Sequence, residues 1–316
     1  MVKKETKLGF FYAVLSNIFG GLQPVIANLR PASLDSLIFS GMTALVQVLI
    51  FIPIFFLEKS INKINRNIKR SAINNNTKKL HFGNSKWYLF VLIGFMFSIV
   101  IFLYYTGLRY AGSINGTLAL KSTAFFGLIF GYLILKENVS KIQIFFSIIL
   151  FFGIIIAITQ MQFYLLEINF GVILILICSS IWMFGHTCSK PYLENRITFS
   201  SELVMWRNIF TTLILLLFYF FYYGIEKFLI ILDPNNVKFY VLGGILYGLN
   251  VFSWYQIIKY LDISIGTILI TPQIIITAFF ASILLGEIFT IYHLIGLIII
   301  IICIIFINWD SKKNNK

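Results

Sequence analysis

Ten apolar stretches of about 20 residues recur along this 316-residue chain. They run approximately over 8–29, 34–57, 87–108, 111–135, 141–160, 169–190, 201–223, 238–258, 263–286 and 291–309. An α-helix of ~20 residues crosses the ~30 Å hydrocarbon core of a bilayer. A transmembrane barrel needs short alternating segments with a polar lumen face, and runs such as Ile298 to Ile302 do not alternate. Only 12% of residues are charged and 59% are hydrophobic. A soluble domain carries about 25% charged residues, so this chain cannot cover a soluble surface. The expected fold is an all-α membrane protein of ten transmembrane helices.

The Lys and Arg residues set the expected orientation. With the N-terminus inside, 19 of the 25 fall on inside segments; the loop 58–86 alone holds eight of them. Arg30, Arg109, Lys227 and Lys238 fall outside, and Lys121 and Arg207 lie within helices. This bias places both termini in the cytoplasm of a cell-membrane protein. The net charge of +13 is thereby assigned to topology rather than to nucleic acid, and the lipid bilayer is the expected surrounding. The stretch after Met1–Lys7 is too long and continuous for a cleavable signal peptide. The Asn- and Lys-rich loop 58–86 is expected to be a solvated cytoplasmic linker.

The chain also repeats itself. Residues 107–140 lie over 257–290 at a constant offset of 150, matching Arg109-Tyr110 to Lys259-Tyr260, Gly116-Thr117 to Gly266-Thr267, Glu137 to Glu287 and Ser140 to Thr290. Ser16-Asn17-Ile18-Phe19 lies over Ser179-Ser180-Ile181-Trp182 at an offset of 163. The expected units are residues 1–160, with the 58–86 loop, and 161–316. Five helices per unit is an odd number, so the two insert with opposite orientation. Inverted repeats mark secondary transporters, whose substrate binds near the midplane between the halves.

These residues resemble the EamA-type transporters of the drug/metabolite transporter superfamily. The pattern is Gly-Thr, about twenty apolar residues, Glu, two residues and Ser/Thr, then a Gly-bearing helix. The second half carries Thr271-Pro272, Leu285-Gly286-Glu287-Ile288-Phe289-Thr290 and Gly296, with Trp182 and Arg207 at matching places. Departures lie in the first half. Ser122 follows Lys121 where proline is common, and Phe39-Ser40-Gly41 stands where an arginine is common. The resemblance implies a central cavity lined mainly by helices one, three, four, six, eight and nine, and a small-molecule substrate.

Lys121 is the sharpest feature. It lies about eleven residues into its helix, roughly 15 Å deep, where a lysine costs about 2.5–3.5 kcal/mol. Either it faces a cavity and binds an anionic group or changes protonation, or it is tied to helix-end carbonyls. Asn17, Asn250 and Gln273 are uncharged polar groups on the cavity helices, and each serves as interhelical glue or as a ligand contact. Tyr105, Trp182 and Trp254, with Tyr104 and Tyr255, can form an aromatic wall. His186 is a candidate hydrogen-bonding group in the cavity. Its spacing to Cys188 puts the two on different helix faces, so no metal is expected. Arg207 is read as snorkelling, or as pairing with Glu202 or Glu194. Glu137 and Glu287 close helices, with Ser140 and Thr290 as caps of the next. Gly127-xxx-Gly131 and Gly244-xxx-Gly248 allow close helix approach within the bundle or in a homodimer.

No nucleotide-binding loop, catalytic set or cofactor site is evident. The expected activity is secondary transport of a small metabolite, such as an amino acid or organic acid, by alternating access. The alternatives are a Lys121-dependent carrier of phosphorylated anions and a non-transporting scaffold or receptor.

Overall fold

The computed structural model describes residues 2–68, 86–136, 139–160, 169–261 and 263–314, with the side chains of 2–6, 62–68, 264, 268 and 308–314 left aside. Glu137, the 69–85 part of the predicted linker and the Trp309 side chain therefore lie outside the described residues. Secondary structure among the described residues is helical throughout. The first half contains α1 (Val2–Leu29), α2 (Ser36–Ile68), α3 (Lys86–Ala111), α4 (Ser113–Ala119), α5 (Thr123–Leu135) and α6 (Lys141–Thr159). The second contains α7 (Phe170–Glu194), α8 (Ser200–Phe228), α9 (Pro234–Tyr260), α10 (Ile263–Leu269), α11 (Gln273–Leu284) and α12 (Ile291–Asn314).

Among the described residues, eight runs are long and apolar enough to cross a membrane, one of them Ser113–Leu135 taken across the α4–α5 junction. Eight of the ten predicted spans are shown in this way. Of the other two predicted segments, the ninth gives the shorter apolar helix Gln273–Leu284 and the tenth is α12, apolar over Ile291–Ile307. The predicted ninth segment is interrupted at Ile270–Pro272, where Pro272 lacks an N–H and its ring clashes with the preceding turn. The start of the 58–86 linker is corrected, because α2 stays helical through Ile68.

Local chemistry explains the ends of these helices. Ser140 caps α6 by accepting from the Gln143 N–H at 3.1 Å, while the Gln143 side chain returns a bond to the Ser140 N–H at 2.9 Å. Asp233 caps α9, ahead of Pro234 in the first turn. Asn169 caps α7. Gly112 adopts φ +81°, a left-handed conformation open to glycine, and so turns the chain sharply from α3 into α4.

Short connections do not make sequence neighbours the main packing partners. The closest pairs instead cross between halves: α1 with α9, α2 with α8, α3 with α7 and α6 with α12. Exchanging the halves maps α1–α9 onto α7–α3 and leaves α2–α8 and α6–α12 paired with themselves. The α1–α11 and α5–α7 contacts exchange in the same way. The 150-residue offset is thus mirrored in the packing. Gly244 and Gly248 let α9 approach Val46, Gln47 and Phe51 of α2, so this glycine pair serves packing within the bundle. Large apolar side chains point outward on the rim, for example Phe145, Phe152, Phe221 and Ile298, as a lipid-facing surface requires.

Polar contacts gather at two opposite ends. At one end, Glu58 accepts from the Ser201 hydroxyl at 2.5 Å and lies 3.9 Å from the Lys259 ammonium, while Lys86 pairs with Glu202 at 2.5 Å. At the other, the Arg30 guanidinium donates to the Leu34 carbonyl (3.1 Å), the Ser36 hydroxyl (2.8 Å), the Tyr105 carbonyl (3.3 Å) and the Ala27 carbonyl. Burial and the nearby Arg109 pull Arg30 down to a pKa of about 10. At that same end Glu287, beyond α11, accepts from the Ser113 N–H at 2.7 Å and the Ile114 N–H at 2.8 Å. A carboxylate of the second half thereby satisfies two orphan donors of α4 in the first. Nearby, Thr290 and His293 bond each other at the start of α12, and the other ring nitrogen of His293 reaches the Asn115 side-chain oxygen at 3.0 Å.

Candidate functional site

Two helices are broken at positions related by the repeat offset. Between α4 and α5 the chain tightens into a 3-10 turn over Leu120–Ser122, and between α10 and α11 it turns at Ile270–Pro272. Lys121 stands in the first break and is 4% exposed. Its ammonium donates to the Ile270 carbonyl at 2.9 Å and to Gln273 Oε1 at 3.4 Å, both at the second break. The helix-end carbonyl contact considered for this lysine is therefore present.

Gln273 extends the polar cluster. Its side-chain amide donates to the Ser16 carbonyl at 3.0 Å and to Asn250 Oδ1 at 3.4 Å, and the Ser16 hydroxyl donates to the same Asn250 oxygen at 2.7 Å. Gly20, one turn after Ser16, permits this approach. A Cβ there would stand 2.3 Å from Gln273 Nε2 and 2.8 Å from Asn250 Oδ1.

A cavity opens beside this cluster. Ser16 and Gly20 of α1, Thr117 and Lys121 of the first broken helix, and Asn250 and Gln273 of the second half line its polar side. Tyr104, Trp182, His186 and Trp254 supply the aromatic side. Trp182 packs 5.9 Å from Tyr104 and 5.9 Å from His186, ring centre to ring centre, and His186 packs 5.8 Å from Trp254. The cavity volume is about 60 Å³, room for a handful of waters. In this conformation the cavity suits a compact solute.

Of the eight residues singled out from the sequence, the structure brings Lys121, Trp182, His186, Asn250, Trp254 and Gln273 to this one cavity. Two lie elsewhere. Asn17 is not among the lining residues; its amide donates to the Leu269 carbonyl at 2.7 Å and so covers the open C-terminus of α10. Tyr105 is fully buried behind the wall, packed 4.6 Å from Phe39. Ser16, Gly20 and Thr117 were not singled out for this role. The i, i+4 spacing of Ser16 and Gly20, small residues on one helix face, is the available signal. Tyr104 joins the wall with its hydroxyl bonded to Gln23 at 2.5 Å.

Arg207 departs most from its expected role. It neither snorkels nor pairs with the carboxylates proposed for it. It is 1% exposed, with its guanidinium 4.4 Å over the Phe97 ring and 5.7 Å from that of Tyr247. Glu202 is held by Lys86 and Thr198, and Glu194 lies 3.7 Å from Lys190. Helix rotation decides this: one residue turns the side chain by about 100°, and the Arg207 face of α8 looks into the bundle.

Comparisons with known proteins agree with this architecture. A family model described as the EamA-like transporter family matches residues 7–159 and, separately, residues 169–309. No curated protein matches the chain. Twenty-eight solved chains do. One is a crystal structure of a protein with no further description; it aligns at a TM-score of 0.66 over 99% of both chains with 12% identity, a likeness of fold alone. Two family matches, one in each half, together cover nearly the whole sequence: the chain is a multi-pass membrane protein and belongs to the EamA-like transporter family.

Proposed function

We propose that this protein is a secondary transporter, rather than an enzyme, that carries a small carboxylate-bearing metabolite such as an amino acid or organic acid. In this reading ten membrane-crossing segments, two of them broken, form two inverted five-helix repeats. The exchange-symmetric packing of the halves supports that arrangement. Alternating access then comes from rocking the halves about the cavity between them.

One observation carries the substrate class. The Lys121 ammonium borders the cavity and donates to neutral oxygens, those of Ile270 and Gln273. A carboxylate arriving there gains a charge-assisted bond, about twice as strong as a neutral one. Asn250, Gln273 and the Ser16 hydroxyl fix its orientation, and the Trp182–His186–Trp254 wall covers the solute's apolar part.

The test is flux into liposomes containing the purified protein, using labelled amino acids and small organic acids, with sugar phosphates as a separate arm. Saturable uptake of a carboxylate by wild type, lost in Lys121→Ala and impaired in Lys121→Arg, is the expected result. The Arg variant is impaired because a planar fork replaces a compact point charge. Full uptake by Lys121→Ala would remove the lysine from binding, and uptake of sugar phosphates alone would replace the substrate class.

The end carrying Glu58, Lys86, Glu202 and Lys259 faces the cytoplasm of the cell membrane in this reading, together with both termini, in accord with the Lys/Arg bias. Single cysteines placed in the 69–85 part of the loop test it. The native Cys178, Cys188 and Cys303 are buried, so background labelling by an impermeant reagent is expected to be low. Labelling of that loop from outside intact cells would reverse the orientation.

A further inference from the structure

Next to the cavity lies a second group of polar atoms that the transport reading does not use. Arg207 stands on α8, seven residues after Ser200, roughly 10 Å along the helix. It is 1% exposed, and its Nε and Nη1 have no acceptor. His186, also 1% exposed, has neither ring nitrogen bonded. These groups are neighbours. Arg207 acts electrostatically on His186 and has the neutral hydroxyls of Tyr247 and Tyr255 within hydrogen-bond reach, Tyr255 also having Ser189; the His186 ring lies 5.1 Å from that of Tyr255 and 5.5 Å from that of Phe97. His186 and Trp254 belong to both places, since they line the cavity as well.

Burial of this kind is costly. An ion taken from water is costly unless paired, and each unsatisfied buried donor adds to that cost. Stacking of the guanidinium on Phe97 recovers only part of it. Among the described residues no carboxylate forms an ion pair with Arg207. Water could satisfy the neutral donors and would leave the charge uncompensated. The convergent groups are donors or can act as donors: two guanidinium N–H positions, two hydroxyls and an imidazole. Together they suit one compact acceptor of negative charge.

We propose that Arg207, His186 and Tyr255 form a binding site for a small monoanion, carboxylate or halide, that opens onto the cavity through His186 and is separate from the Lys121 contact. It neutralises the buried guanidinium and places an anion beside the solute path. The site goes beyond the transport reading and does not depend on it.

Thermal unfolding of the purified full chain in detergent, followed by tryptophan fluorescence, tests the proposal. Sodium gluconate is replaced by chloride, acetate or formate at constant ionic strength and pH. The wild type is expected to show a saturable rise in melting temperature that Arg207→Leu loses and Lys121→Ala keeps. Arg207→Lys, which keeps the charge without the planar fork, is expected to need about tenfold more anion; it also serves if the leucine variant fails to fold. A response to chloride that acetate does not compete away identifies a free halide as the occupant. A response to acetate or formate identifies a carboxylate. No saturable response in wild type, as a site holding only water would give, overturns the proposal. So does an undiminished response in Arg207→Leu, or in Arg207→Lys where that variant stands in for it, and so does a response lost in Lys121→Ala but kept in the Arg207 variant. Failure of carboxylate flux in liposomes would overturn the transport reading and leave this result standing.

Discussion

The two broken helices occupy equivalent places in the two repeats and are broken by different chemistry. At the offset of 150, Lys121 lies over Thr271, Ser122 over Pro272 and Thr123 over Gln273. The second break is made by Pro272, which cannot donate to the preceding turn. It exposes the carbonyls of Leu269 and Ile270 at the end of α10. The first break has no proline and only tightens into a 3-10 turn. It supplies the cation instead: Lys121 donates to the Ile270 carbonyl, and Asn17 of α1 donates to that of Leu269. One half opens acceptors and the other half brings donors to them. A repeat that is symmetric in backbone has become complementary in chemistry, and the cavity lies where the two meet.

The largest expected effect comes from erasing that difference. Lys121→Thr gives both breaks the same residue and is expected to lower carboxylate flux by about 10–100-fold, the scale of a lost charge-assisted bond of about 1.5–3 kcal/mol. Adding Thr271→Lys moves the cation to the other break and is expected to restore nothing, because Ile270 and Gln273 then lie on the same side as the lysine. Wild-type flux in the double variant would show the two breaks to be interchangeable.

A smaller effect is expected from the bond that ties the halves at the start of α4. Glu287→Ala leaves the Ser113 and Ile114 N–H groups without an acceptor and should lower stability by about 1–3 kcal/mol, read as a shifted midpoint in detergent denaturation. Glu287→Gln retains one acceptor oxygen and should lose less. An unshifted midpoint in the alanine variant would mean that the tie contributes nothing.

Gly20→Ala probes the polar side of the cavity at similar or lower cost. Its methyl displaces the Gln273 side chain, and overpacking of this kind costs about 1–3 kcal/mol. The expected signature is a lower melting temperature together with weakened ligand stabilisation. A normal melt with normal binding would show that Gln273 has another rotamer available.

The smallest effect should come from Pro272→Ala. With Lys121 and Asn17 still holding the freed carbonyls, the turn is expected to persist and stability to change by less than about 1 kcal/mol. A larger change, or a fully additive loss when combined with Lys121→Ala, would show that the proline holds the break alone.

Much of this architecture can be read directly from the chain. Segment length and apolarity decide between water and lipid, and they do so one segment at a time. The match of Gly116-Thr117 to Gly266-Thr267 and the cap at Ser140 are likewise properties of neighbours in sequence. Lys121 stood out because a charge at that depth is expensive wherever it points. What it touches is a different matter. Gln273 bonds Ser16 across 257 residues, and Lys121 reaches Ile270 across 149. Asn17, the same kind of residue as Asn250, lies just off the cavity at the end of a broken helix, and Arg207 faces inward although it sits near a helix end where it could have reached water. Composition reports how much a segment prefers lipid to water. Rotation about the helix axis, and the identity of the helix across the interface, settle which polar groups meet; both arise only when the two halves pack together.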